Sequence, residues 1–469
     1  AHPLLTPRWT PRKLIGKGLQ AWYSAKRSPI TRAAGMAAQF TAATFEYLSH
    51  AGNAALRGQT GTGGWWRSGW IYLDTADART IEDCLGTNVG YKLSTNATPA
   101  LVLEAGNGSA TATATHGTTL GTATWYFFYV QYDGVNISVN INNGTAVTAA
   151  LATYSSGATA WNMGALVTPA TYFNGRMQCM MGDDGTLTAA QQTALYNAGT
   201  PLAHDQLPFV LSSGIGWIFE LNEPSGTRTD LGSAGLTLTD NATVTTAAGT
   251  CLNAVSQWDD LSGKGYHATQ ATQANKPNYR ARAINGFPGL RFYTGGSQYL
   301  SANSLALLFA GQDIPSSVVF VGKPAATGGS GRFVELSSTT NANPFMNFCS
   351  QNVIDTWSAS RRDDVPNPAQ GPTHTVAVTA VPHIISCVFT GTAISLGIDG
   401  VVETDDTADV GTCTFDAFDI GRLNLGGATN APLDGYVCEV IILDRAINLR
   451  EQRQIERYLS REYGVALAA

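Results

Sequence analysis

Charge is scarce in this 469-residue sequence: Asp, Glu, Lys and Arg make up 13% of it, about half the usual share. The net charge of −6 offers no broad attraction for nucleic acid or anionic lipid, so neither is expected as the main ligand. No apolar run reaches 18 residues, which excludes a membrane-spanning helix. The seven cysteines (Cys84, Cys179, Cys251, Cys349, Cys387, Cys413, Cys438) are odd in number and form no CxxC pair. That fits neither a disulfide framework nor a zinc site, and they read as small buried hydrophobes. Catalytic signatures are missing as well. The sequence holds no HExxH pair, no G-x-S-x-G elbow and no run of alternating carboxylates. Its acids come as neighbours instead (Glu82-Asp83, Asp183-Asp184, Asp259-Asp260, Asp363-Asp364), which on a strand face opposite ways and are expected in turns. "ATGGSGR" (326–332) lacks the Lys-Ser/Thr ending of a phosphate loop and reads as a hairpin turn. The chain is therefore expected to be non-enzymatic.

What is present is repetition. "AAQFTAATFEYLS" (37–49) and "LRFYTGGSQYLS" (290–301) both place Tyr-Leu-Ser seven residues after a Phe, Phe40 and Phe292. In the same order, "GWIYLDT" (69–75) answers to "SVVFVGK" (317–323), and "FFYVQYDGVNISVNINNG" (127–144) to "HIISCVFTGTAISLGIDG" (383–400). "WNMG" (161–164) answers to "FDIG" (418–421), and "FNGRMQCMMGDDGTLTAAQQTALYNAG" (173–199) to "LDGYVCEVIILDRAINLREQRQIERYLSREYG" (433–464). A unit that recurs over ~150 residues is a domain, because it must bury its own core. Short alternating strands between Gly, Asn and Asp turns predict antiparallel sandwiches. Each copy ends in a helix opened by a capping box, Thr188/Gln191 and Asn448/Glu451. The expected division is an extended arm (1–18), a first sandwich (19–200), a linker (201–215) lying on a domain, and a second sandwich (216–469). The opening hairpin of the second is expected to pair onto a sheet edge. Phe40, Tyr47 and their counterparts Phe292 and Tyr299 are expected as inward anchors.

These stretches resemble the laminin-G-like branch of the concanavalin A-like lectin and glucanase superfamily. The resemblance also runs through "WDDLSGKGYHATQATQANKPNY" (258–279) and "NGFPGLRF" (285–292). It implies an all-β chain of two tandem jelly-roll sandwiches, each closed by a short amphipathic helix. Proteins of this kind bind glycans or protein partners, cleave polysaccharides, or build extracellular and viral particles, so the fold leaves function open. The resemblance also makes rim calcium a candidate cofactor, with Asp405, Asp406 and Asp409 as an oxygen-rich loop. Trp65 and Trp66, on a Gly-rich approach, are candidates for stacking on a sugar or a partner. The proline-bearing arm, with Arg8, Trp9, Arg12, Lys13 and Lys17, suits either its own domain or a neighbouring subunit. Two roles follow. One is a virion component (capsid decoration, tail or fibre-associated protein) contacting other virion or surface proteins, or further copies of itself. The other is an extracellular or cell-surface lectin-like protein of a bacterium, whose mature Ala1 fits a removed export signal.

Overall fold

The two-residue period of burial sets the architecture. Strand Thr356–Arg362 buries Trp357, Ala359 and Arg361 and turns the residues between them outward, as a sheet with one core face requires. The computed structural model describes residues 9–157, 159–211, 215–351, 355–366, 368–405 and 411–468. Its strands pair antiparallel throughout and build two units, residues 1–33 with 253–469, and residues 34–252. We call them the host and the inserted sandwich.

In the inserted sandwich one sheet runs in the order 147–150, 136–141, 125–132, 65–73, 175–184. Strand 175–184 then takes two partners, 36–40 near its start and 217–219 further along, and 245–248 adds to 36–40. The second sheet runs 111–119, 100–106, 91–95, 80–83, 161–163, 47–50, 237–241, 228–229. The host repeats this order. Its first sheet is 401–405, 394–398, 383–389, 316–324, 435–443, with 287–292 and 19–24 sharing the last strand and 278–284 on 287–292. Its second is 373–377, 356–362, 345–351, 332–337, 417–420, 300–301, 268–269, 254–258, 30–33. Every hydrophobic cluster lies within one unit.

This is the all-β, two-sheet antiparallel sandwich that the sequence implied, used twice, but the boundaries fall elsewhere. Strands 19–24 and 30–33 belong with the C-terminal unit, and 217–219, 228–229, 237–241 and 245–248 belong with residues 34–200. The opening of the second copy does pair onto sheet edges, and those edges are the other unit's. Segment 201–215 is no linker: Leu202, Ala203, Leu207, Leu211 and Ile215 are buried with Trp66 and Trp70 of the inserted sandwich. The two sandwiches are thus circular permutants. Four strands that precede Phe292 in the host (19–24, 254–258, 268–269, 278–284) have counterparts after the closing helix in the inserted one. The host is interrupted at a hairpin, where Ala33 and Ala254 are paired residues.

The repeated Phe has a local cause. Phe40 lies opposite Gly175 and Phe292 opposite Gly435. Each ring sits on a glycine of the neighbouring sheet, Gly164 at φ +89° and Gly421 at φ +100°, where an added Cβ would come within 2.8 and 2.5 Å of the ring. Both glycines donate to the second sheet, to Ile81 O at 2.8 Å and Phe333 O at 3.0 Å. Glu46 and Gln298, 252 positions apart, accept the backbone N–H of Thr41 and Tyr293 at 2.7 and 3.0 Å. The tyrosines depart from expectation. Leu48 and Leu300 point into the cores, so strand parity leaves Tyr47 and Tyr299 half-buried at the outer face, Tyr47 beside Tyr172 and Tyr299 under Arg422.

Both closing helices, Ala189–Tyr196 and Leu449–Tyr463, begin with the expected capping boxes, and the longer one ends on Gly464 at φ +65°. All seven cysteines are free and buried, as read. In the arm, Trp9 meets Tyr458 edge-on at 5.7 Å, Pro11 is buried, and Leu14 is buried in the cluster that holds the host's own helix residues Ile455, Tyr458 and Leu459. Arg12, Lys13 and Lys17 are exposed, and Arg8 lies outside the described residues.

Candidate functional site

At one rim of the host sandwich the loop between strands 316–324 and 332–337 has the sequence Ala-Ala-Thr-Gly-Gly-Ser-Gly. Gly328 there has φ +78°, a conformation that glycine adopts without strain. The loop walls a cavity of about 410 Å³ with Thr294, Thr327, Ser330, Gln351, Pro432 and Asp434, within the ~300–1,000 Å³ range of small-molecule sites. Gln351 is held by a bond from its Nε2 to Ala326 O at 3.0 Å. Asp434, half-exposed, pairs with Arg291 at 2.6 Å. The Arg291 guanidinium lies 4.1 Å from the ring centre of Tyr293 and 5.1 Å from that of Tyr436, so the carboxylate is fixed by a cation braced on two aromatic faces. Donors, acceptors and a single carboxylate thus converge at an open mouth. That suits recognition of a hydroxyl-rich ligand, and among the described residues no second carboxylate or histidine lines the cavity for acid–base work.

The inserted sandwich holds its charge inside. Arg67, fully buried in strand 65–73, donates from Nε to Tyr91 Oη at 3.1 Å and from its other nitrogens to the carbonyls of Trp66 at 2.7 Å and of Ala55 and Leu56 at 3.0 Å. Tyr91 in turn donates to Glu82 Oε2 at 2.7 Å and receives Trp161 Nε1 at 2.9 Å. Burial pushes the Glu82 carboxyl up to about 7, against the opposing pull of the Tyr91 hydrogen bond and the Arg67 charge. No solvent reaches this network, which makes it structural.

The adjacent acids separate as strand geometry demands, though Glu82-Asp83 (strand 80–83) and Asp183-Asp184 (strand 175–184) sit in strands rather than turns: Glu82 points to the core and Asp83 to the outer face. Asp260 is the turn residue expected, accepting the backbone N–H of Trp22 at 2.9 Å and of Ser262 at 2.8 Å. Among the described residues one cross-strand carboxylate pair exists, Glu335 opposite Asp419, but both side chains are fully buried, so a polysaccharide cannot reach them.

Trp65 and Trp66 are not exposed. They open the central strand 65–73, opposite Tyr132 and Gln131 on one side and Asp184 and Asp183 on the other, and both are buried. Trp65 packs on Tyr91 at 4.9 Å and Tyr154 at 5.3 Å, and Trp66 faces Tyr129. Trp65→Ala should therefore act as a core truncation costing about 3–5 kcal/mol, measurable as a fall in urea midpoint, with no direct loss of a sugar contact. Of the calcium loop, Asp405 ends strand 401–405, while Asp406 and Asp409 lie outside the described residues. Among the described residues no three His, Cys, Asp or Glu side chains gather as a metal cluster.

No protein-family model and no curated protein matches the chain. Solved structures similar to it include the NanB sialidase of Streptococcus pneumoniae, at 14% identity and a TM-score of 0.30 over 35% of this chain and 26% of that one. The CBM40 domain of the Ruminococcus gnavus IT-sialidase is similar at 13% identity and a TM-score of 0.29, over 35% of this chain and 90% of that one. Domains LG4-5 of the mouse laminin alpha1 chain are similar at 11% identity and a TM-score of 0.27, over 90% of this chain and 95% of that one. The chain thus spans about a quarter of the length of the sialidase chains it matches.

Proposed function

We propose that this chain is a non-enzymatic carbohydrate-binding protein and that the glycan occupies the rim cavity of the host sandwich. The observation that carries the reading is the lining. Asp434 and Gln351 are held in place by Arg291 and the Ala326 carbonyl, and hydroxyl-bearing Thr294, Thr327 and Ser330 complete a polar ring around about 410 Å³. Fixed acceptors and donors of this sort match sugar hydroxyls without paying for ordering on binding. An extracellular or cell-surface place accompanies this reading. The arm as a partner strap is one of the features behind the virion role, and Trp9 and Leu14 are engaged by the host's own helix, which takes that one support away.

An array of neutral and acidic oligosaccharides, followed by calorimetry on the best ligand, tests the proposal. Asp434→Asn and Gln351→Ala should each weaken binding about tenfold or more, the value of one charged or well-placed hydrogen bond, while the unfolding midpoint stays put. Binding untouched by both substitutions would remove the cavity from consideration.

A further inference from the structure

Each sandwich carries a polar row across the outer face of its second sheet, one residue per strand. In the inserted sandwich the register reads Ser49, Asn162, Asp83, Lys92, Glu104. In the host it reads Ser301, Asp419, Glu335, Asn347, Ser360. The first row is balanced: Lys92 stands opposite Asp83, where its charge opposes the burial that raises that carboxyl, and pairs with Glu104 at 2.5 Å. The second row has Asn347 where the lysine stood, and Glu335 where Asp83 stood.

The host row is also roofed by the hairpin of strands Leu423–Leu425 and Ala428–Asn430, which follows directly on strand 417–420. Beneath it, Glu335, Ser337, Asn347 and Asp419 have no exposed surface and Asn424 almost none. Asp419 is occupied by Arg422 at 3.1 Å and by the Ser301 hydroxyl. Asn347 spends its amide hydrogens on Ser350 Oγ at 2.8 Å and Ser358 O at 3.1 Å. What remains is a set of oxygens without partners: both carboxylate oxygens of Glu335, Ser337 Oγ, Asn347 Oδ1 and Asn424 Oδ1. Buried polar atoms of native proteins are almost always satisfied. Here the unsatisfied ones are all oxygens, they sit on neighbouring positions of one sheet face and its roof, and the copy of the fold keeps a positive charge in the equivalent place.

We infer that the host sandwich binds a hard cation of the calcium class beneath the 423–430 hairpin, held by the oxygens of Glu335, Ser337, Asn347 and Asn424. An all-oxygen set of one carboxylate, two amide carbonyls and a hydroxyl, with no nitrogen or sulfur, is the donor chemistry that calcium accepts in irregular geometry and that zinc or copper does not favour. A proton is the competing occupant, since burial and the neighbouring Asp419 push the Glu335 carboxyl up to about 8 while Arg332 pulls it down. A proton serves a single acceptor, however, and leaves the amide oxygens as they were.

The test uses the full chain, stripped with EDTA, desalted and titrated with calcium chloride alone at pH 8, with elemental analysis of the untreated protein. One calcium per chain and a rise in the unfolding midpoint on adding calcium are expected. Glu335→Gln should keep the fold, raise the metal-free midpoint by removing a buried charge, and weaken calcium at least tenfold, and Asn424→Ala should weaken it too. The inference is overturned if the chain neither retains nor responds to calcium, or if magnesium works equally well. It also fails if the response survives Glu335→Gln, or disappears only in Asp406→Asn and Asp409→Asn.

Discussion

Residues 34–252 expressed alone should fold cooperatively, and residues 19–200, the stretch the repeat marks out, should not. The second fragment lacks strands 217–219, 237–241 and 245–248, so strands 175–184, 47–50 and 36–40 lose a hydrogen-bonded neighbour each. It also lacks Trp217, Phe219, Leu221, Leu238 and Val244, every one fully buried in the inserted core. At about 1.5–3 kcal/mol for each large apolar side chain removed from water, the loss is on the order of 10 kcal/mol, comparable to a domain's entire stability. Strands 19–24 and 30–33, which that fragment gains, have no partner in it. Far-UV circular dichroism and a urea titration of the two fragments would check this, and a cooperative transition in 19–200 would contradict it.

Arg67→Ala should cost the inserted sandwich about 3–5 kcal/mol, the range for stripping one partner from a buried ionic network. The guanidinium ties the 54–57 turn to strand 65–73 through the Ala55 and Leu56 carbonyls, and those acceptors would be left bare with Glu82. The pH dependence has a definite sign. Glu82 is raised in the folded state to about 7 from a carboxyl's ordinary value near 4.5. Its contribution is fully present below the unfolded value and is lost as pH climbs from about 4.5 through 7, on the order of 3 kcal/mol. Urea midpoints of 34–252 should therefore fall between pH 5 and pH 8, and Glu82→Gln should flatten that fall. An equally steep profile in the glutamine variant would mean that Glu82 is already ionised in the folded protein.

The parts legible in the sequence are those fixed by local chemistry. The capping boxes at Thr188 and Asn448, the burial of every cysteine but Cys251 and the Phe–Gly contacts sit within segments whose order both copies share, from Phe40 to Gly199 and from Phe292 to Gly464. The exchange of opening strands was not legible. Strands such as 228–229 and 268–269 are two residues long, too short to carry a motif, and only their partners say which body owns them. Trp65 and Trp66 were misplaced because glycines before a strand look like an exposed approach, whereas the strand starts at Trp65 itself and runs through the centre of its sheet. Arg67 had a signal, a lone cation within the apolar stretch "WWRSGWIYL". Gln351 and Asp434 had none, since they meet only after strands far apart in the chain are brought to one rim. Nor did Glu335 and Asn347, whose importance shows only beside Asp83 and Lys92 of the other copy.

Dividing the chain where the fold divides it tests the central claim most directly. One protein would join residue 33 to residue 253 through a short glycine-serine link, which the pairing of Ala33 with Ala254 permits, and the other would be 34–252. Calorimetry against the best array ligand should find the full chain's affinity in the joined host and none in 34–252. Binding carried by 34–252, or a joined host that fails to fold, would contradict the account.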